Sequence, residues 1–235
     1  MAKESSRTMK KLNVLIACEF SGAVRYEFRR LGHNAWSCDL EPSDSEYHIQ
    51  DDVLNHLNRV PNSDRGWDLM IAHPPCTYLT VTGNRWFHPK YADKFPDRPR
   101  QREEAAEFFM DLYNADIPHI AVENPIGVMS TRFRKPDQII QPWQFGDEAQ
   151  KSTCLWLKNL PLLEHTDVVG KGEFMEWTTS DGKKKRQPKW YADALKKNPK
   201  EREKIRNTTF PGIAKAIAEQ YSNYLLKECT EQQFN

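Results

Sequence analysis

Two side chains stand where they could do covalent chemistry. Cys76 follows Pro74 and Pro75, directly behind the apolar run 69–72. Consecutive apolar residues after the charge of Asp68 fit a strand buried on both faces, and the two prolines, which cannot donate to a ladder, stop it there. A thiol is thereby delivered at a strand's carboxyl end on a loop of fixed φ, the stiffness that a nucleophile needs. The competing reading of this stretch is a small buried hydrophobe. Glu123 and Asn124 end a second apolar run, 117–122. If the two strands are parallel, carboxylate and thiol share one rim of the sheet; alone, Glu123 reads as a loop or helix-capping acid.

The elements that must position them alternate as strand, turn and helix. The run 13–17 leads into Phe20, Ser21 and Gly22, then into helical spacing over 24–31 with Gly32 as the stop. A strand at 35–38 ends in Asp39, Leu40 and Glu41, roughly twenty residues past the turn glycine, where nucleotide-binding α/β folds place a ribose-binding acid. Each taken singly, Gly22 is an ordinary turn glycine and Asp39 a surface acid. A short strand over 47–53 ends near Asp52, with helical spacing over 54–60 and a turn at Pro61 and Asn62. Residues 77–102 carry prolines at 89, 96 and 99 with Arg85, Trp86, Phe87 and Tyr91, a long aperiodic segment of the kind used as a lid. Helical spacing follows over 102–114, and strands are expected at 139–145 and 152–157. Residues 170–191 read as a hairpin turning at Asp181 and Gly182. Its cations, Lys183, Lys184, Lys185, Arg186 and Lys189 beside Trp190, suit phosphate contact or a solvated tip. Residues 196–206 continue polar, and the last helix, 213–227, carries an apolar stripe at 213, 217, 221, 224 and 225.

Composition sets the limits. A chain of 235 residues suits one sizeable domain, and 34 Lys and Arg against 33 Asp and Glu confine any basic footprint to a local patch. Five cysteines, an odd number without close pairing or metal-ligand spacing, fit a reducing compartment and no metal. Residues 1–11 are polar and basic, a flexible terminus, and the apolar run behind them is too short to cross a bilayer, so a cytoplasmic protein without membrane partners is expected.

The order of these motifs resembles the DNA cytosine-5 methyltransferases, and most of all their short bacteriophage-type members, over residues 14–224. Phe20, Ser21 and Gly22 look like the family's cofactor loop, Asp39 with Leu40 its ribose site, and Asp52 its adenine-contacting acid. Pro74, Pro75 and Cys76 are similar to its catalytic loop, Thr80 and Arg85 to the mobile loop that closes over a flipped base, and Glu123-Asn124 to its acidic motif. Lys151 stands where the family keeps a Gln-Arg-type motif, and residues 207–218, with Thr209, resemble the helix that returns to the cofactor site. Val24 replaces a second loop glycine, and Lys151-Ser152-Thr153 replaces an arginine pair.

The resemblance implies an α/β fold: a Rossmann-like methyltransferase sheet with helices on both faces, and a small irregular insertion as a reduced target-recognition region. It divides the chain into a catalytic domain at 12–163, a basic insertion at 164–206 and a returning C-terminal helix at 207–235. It implies S-adenosylmethionine as cofactor, cytosine-containing DNA as partner, a monomer, and a host cytoplasm if phage-encoded. Cys76 would attack carbon 6 of a flipped cytosine, and Glu123, its pKa raised by burial, would protonate ring nitrogen 3 while Asn124 holds the loop. Transfer of a larger group, a free nucleotide as substrate, an amino-group methyltransferase, a non-catalytic DNA- or cofactor-binding module and an unrelated α/β function are the alternatives.

Overall fold

The computed structural model describes residues 10–231; most of the expected flexible terminus, residues 1–9, lies outside them. Seven strands form one sheet: β1 (Asn13–Ala17), β2 (Asn34–Asp39), β3 (His48–Gln50), β4 (Leu69–Ala72), β5 (His119–Pro125), β6 (Gln138–Ile140) and β7 (Thr153–Lys158). Their order is β3-β2-β1-β4-β5-β7-β6. Only β7 runs against its neighbours. This is an α/β architecture, a mostly parallel Rossmann-like sheet. The order reverses between β1 and β4, and ligand crevices of such sheets open there, outside the carboxyl ends of the strands.

The middles of the central strands β1, β4, β5 and β7 are apolar because both faces are covered. Val14, Ile16, Leu69, Ile71, Ala121 and Leu155 face one way. They pack on Val24 and Phe28 of α1 (Ala23–Arg30) and on Ile213, Ile217, Tyr221 and Leu225 of α6 (Pro211–Glu231). Leu15, Ala17, Met70, Ala72, Ile120, Val122 and Trp156 face Phe109 and Leu112 of α2 (Arg98–Asn114). Tyr224, assigned to the buried stripe by spacing, is only partly buried.

Several boundaries differ from the sequence expectation. Residues 54–60 hold only a 3-10 turn, Val53–His56. The strand expected over 139–145 stops at Ile140, and Pro142 opens a 3-10 turn, because proline cannot extend the ladder. α2 begins at Arg98, with Pro99 in its first turn where a missing N–H costs nothing. α3 (Met129–Arg132) is a single turn. The hairpin forms as a separate two-stranded sheet, β8 (Phe174–Thr178) with β9 (Lys184–Pro188), followed by α4 (Lys189–Leu195). The polar stretch after it contains α5 (Pro199–Asn207), which starts where the Asn198 side chain accepts the Glu201 N–H at 2.9 Å.

Cys18, Cys38, Cys76 and Cys154 are free thiols; the Cys229 side chain lies outside the described ones. Among the described residues no group of three or more His, Cys, Asp or Glu is placed to hold a metal, and no helix is long and apolar enough to cross a membrane.

Candidate active site

β4 and β5 are parallel neighbours with Ala72 opposite Val122. One position further out, His73 and Glu123 meet, the His73 Nδ1 standing 3.2 Å from Glu123 Oε2. Their side chains are 10% and 19% exposed. β5 runs to Pro125, so Glu123 and Asn124 belong to the strand and not to the loop after it. Strand alternation sends Asn124 to the opposite side, where it is buried and its Nδ2 donates to the Pro74 carbonyl at 2.8 Å. The Pro-Pro-Cys loop is thereby tied to β5. Cys76 sits half-buried just beyond that tie.

Two cations complete the electrostatics. Lys151 enters β7 with its N–H donated to Gln141 Oε1 at 3.0 Å, and its ammonium donates to the Arg206 carbonyl, at the end of α5, at 2.8 Å. Burial pushes the Cys76 thiol up and the Glu123 charge adds to that, while Arg206 and Lys151 pull it down without cancelling the rise. For Glu123 burial favours the neutral acid, but the His73 hydrogen bond and the charges of Lys151 and His73 outweigh it and hold the carboxyl below its ordinary value. This corrects the sequence expectation of a raised pKa, which considered burial without the histidine.

α6 begins four residues after the end of α5. Gly212 donates its N–H to Asp147 Oδ2 at 2.8 Å, and a Cβ there would lie 1.7 Å from the Phe145 carbonyl oxygen. Only glycine lets the helix seat this closely. Thr209 lies half-buried between α5 and α6.

On the other side of the switch point, the turn after β1 is closed by the chain itself. Gly22 caps α1 with a φ of 74°, a left-handed conformation that glycine supplies without strain. The buried Glu19 carboxylate accepts the Val24 N–H at 2.8 Å and the Arg25 N–H at 3.3 Å. Val24, in place of a second glycine, is a fully buried core residue. Arg25 is buried beneath the turn, its guanidinium donating to Ser37 Oγ at 2.5 Å, which meets His48 Nδ1 at 2.8 Å. Phe20 and Ser21 are half-buried and Pro74 is buried. Asp39, at the end of β2, is half-buried, and burial pushes its carboxyl up against the pull of the Glu41 N–H. Leu40 beside it is 72% exposed. Asp52 is exposed and accepts the Leu54 N–H at 3.0 Å. Both acids act on the Cys18 thiol, so they flank the end of β1.

The segment 77–97 is not a bare flexible lid. Trp86 packs on Tyr91 and Phe95 at 5.1 and 5.5 Å, and the Arg102 guanidinium covers Phe87 at 3.3 Å while its Nε donates to the Tyr78 carbonyl. Arg85 is exposed, its guanidinium 4.3 Å from the Trp86 ring. Thr80 is buried in a bridge to Gly127, its hydroxyl 3.3 Å from that of Thr82, which removes it from the surface set expected to meet DNA. In the hairpin, Lys183 pairs with Asp181 at 2.8 Å and Lys189 with Asp193 at 3.0 Å. Lys184, Lys185 and Arg186 are exposed without a carboxylate partner among the described residues, and Arg186 lies 5.0 Å from the Phe174 ring. Met175 and Trp177 are exposed on the opposite strand, Trp177 in register with Lys185.

Sequence reasoning missed His73, Glu19 and Arg206. For His73 a signal was present: a titratable residue between an apolar strand and the two prolines. Glu19 could have been found as the acid between β1 and the turn glycine. Nothing local marks Arg206, whose place at the end of α5 is seen only in the bond from the Lys151 ammonium to its carbonyl.

No family model matches the chain, and no curated protein matches it. Among solved structures it is similar to one from E. coli described as a DNA modification methyltransferase encoded within a prophage. The TM-score is 0.39 and the identity 15%, over 63% of this chain and 46% of that one, so the chain spans less than half the length of that protein.

Proposed function

We propose that the chain transfers a methyl group from S-adenosylmethionine to carbon 5 of cytosine in DNA. The observation that carries this reading is the free thiol of Cys76 and the carboxylate of Glu123 at one rim of the sheet, the thiol within reach of the Glu123 charge and both within reach of Lys151. Carbon 5 of cytosine is a poor nucleophile, and addition of a thiolate at carbon 6 makes it enamine-like. Lys151 and Arg206 favour the thiolate of Cys76. Glu123 delivers a proton to ring nitrogen 3 as negative charge builds there, a contribution of about 10²–10⁴-fold. Asn124 holds the cysteine loop through the Pro74 carbonyl. The target base must leave the stack to meet the thiol, and the exposed Arg85 with Lys184, Lys185 and Arg186 would contact the phosphates around it.

The rim beside β1 suits this cofactor better than a dinucleotide. A pyrophosphate needs the free N–H groups at the start of a helix, and here Glu19 already occupies those of Val24 and Arg25. Phe20, Ser21, Gly22, Asp39, Leu40, Asp52, Pro74 and Thr209 would hold an adenosine ligand that carries no phosphate, Asp39 accepting from ribose hydroxyls and Asp52 from the adenine amino group. S-adenosylmethionine, when bound, supplies an electrophilic methyl group.

The test uses DNA with 5-fluorocytosine, in which carbon 5 cannot lose a proton. Wild-type protein with cofactor is expected to form a complex that survives denaturing electrophoresis, and Cys76→Ser none. A stable complex with Cys76→Ser, or none with wild type that binds both ligands, contradicts the reading.

A further inference from the structure

The cytosine chemistry asks for an acid at ring nitrogen 3, yet the Glu123 carboxyl lies below its ordinary range. The parallel register explains how both statements hold. His73 and Glu123 are the next pair outward from Ala72 and Val122, and alternation points both toward the face of Ile71 and Ala121. His73 Nδ1 meets Glu123 Oε2 at 3.2 Å, and the imidazole, nine-tenths buried, leaves its Nε2 without a hydrogen-bond partner. A buried imidazole with one nitrogen committed to a carboxylate holds an exchangeable proton next to the acid that needs one.

We propose that His73 is a positioning residue that stores the proton Glu123 passes to the ring, so that the acid is the His73–Glu123 pair and not the glutamate alone. This rests on the cytosine reading above. The pair holds one proton between His73 Nδ1 and Glu123 Oε2. The thiol first gives its proton to solvent. As Cys76 Sγ bonds to carbon 6, the electrons of the 5,6 double bond move into the ring and nitrogen 3 takes the pair's proton through Glu123, leaving a carboxylate and a neutral imidazole; carbon 5 then takes the methyl group, and the donor departs as a thioether. When the carbon-5 proton leaves to water and the sulfur–carbon bond breaks, nitrogen 3 returns its proton through Glu123 to His73. The pair ends each cycle as it began.

Few other groups face the pair. Lys151 acts on Glu123, and Cys76 feels Glu123, Lys151 and Arg206. Cys154 on β7, pushed by burial and by Glu123 up to about 11, stays a thiol through the assay range.

The experiment measures methyl transfer to DNA from about pH 5.5 to 9 for wild type, His73→Gln and His73→Ala, with kcat and KM separated. His73→Gln keeps a donor to Glu123 but cannot titrate. The expected result is a kcat lowered about 10²-fold at neutral pH, KM for DNA within roughly twofold, and a pH profile of kcat that differs in shape from that of wild type. A His73→Gln enzyme with wild-type kcat and profile overturns the proposal. Should both variants fail to fold, or should wild type methylate no cytosine, the pair is judged on the resting protein by ring-nitrogen NMR. The second case sinks the cytosine reading and leaves this test standing. The Nδ1 signal of His73 is expected to move on Glu123→Gln at fixed pH; an unchanged signal overturns the pairing.

Discussion

Replacing Gly212 by alanine puts the seating of α6 under direct strain. The added Cβ would lie 1.7 Å from the Phe145 carbonyl oxygen and 2.9 Å from Asp147 Oδ2. An ordinary carbon–oxygen contact is about 3.4 Å, so the helix start must retreat by roughly 1.5–2 Å. That breaks the 2.8 Å hydrogen bond from the Gly212 N–H to Asp147, whose carboxyl burial already pushes up. Overpacking costs about 1–3 kcal/mol and the orphaned acceptor about 1–3 more, against about 1 kcal/mol gained in helix propensity. A net loss of about 2–4 kcal/mol corresponds to a melting point lower by roughly 5–15 °C for a chain of this size. The same shift drags the end of α5, and with it the carbonyl that holds Lys151 at 2.8 Å. A misplacement of about 1 Å is worth about 10²-fold in rate, so methyl transfer is expected to fall further than stability alone explains. The assay is a thermal melt and a single-turnover rate, with Gly66→Ala as control, since nothing lies within 4 Å of a Cβ there. A Gly212→Ala protein that melts within about 2 °C of wild type would refute the packing argument.

Opposite changes in thiol reactivity are expected from Cys76's two kinds of neighbour. Glu123→Gln removes a charge that pushes the thiol up, and Lys151→Met removes one that pulls it down. Alkylation of Cys76 by iodoacetamide at pH 7.5 should therefore quicken in the first and slow in the second, each by about 3–10-fold. Both should lose methyl transfer. Acid stability carries the sign of Glu123: its folded value lies below its ordinary 4.5, so its contribution is full above that value and is lost as pH falls through the folded value. Urea midpoints measured across that window should drop less steeply in Glu123→Gln than in wild type. In the hairpin, Lys184→Glu with Lys185→Glu should lower the slope of log affinity for DNA against log salt by about one per lost phosphate contact. An unchanged slope would place the DNA elsewhere.

The sheet was legible because its central strands are buried on both faces: within the runs read at 13–17, 69–72 and 152–157, residues 14–17, 69–72 and 154–157 are unbroken apolar and no helix period fits them. Where the pattern is only half apolar the reading slipped. Residues 139–145 look continuous, yet Pro142 ends the strand after Ile140. α5 escaped notice because it buries no residue, so no stripe marks it and only the Asn198 cap and Pro199 announce it. In the site, Cys76 and Glu123 could be placed on one rim from strand ends alone. The charge on Glu123 could not, since it depends on a cross-strand neighbour fifty positions away in sequence. Thr80 shows the same limit: the family resemblance put it on a closing loop, whereas the bridge to Gly127 buries it.

The most direct test of the cytosine account is incubation of the protein with methyl-labelled S-adenosylmethionine and mixed-sequence DNA, followed by mass spectrometry of the released nucleosides, with Cys76→Ser in parallel. The account predicts labelled 5-methylcytosine from wild type and none from Cys76→Ser. Label on an amino nitrogen of any base, or 5-methylcytosine formed equally by Cys76→Ser, would contradict it.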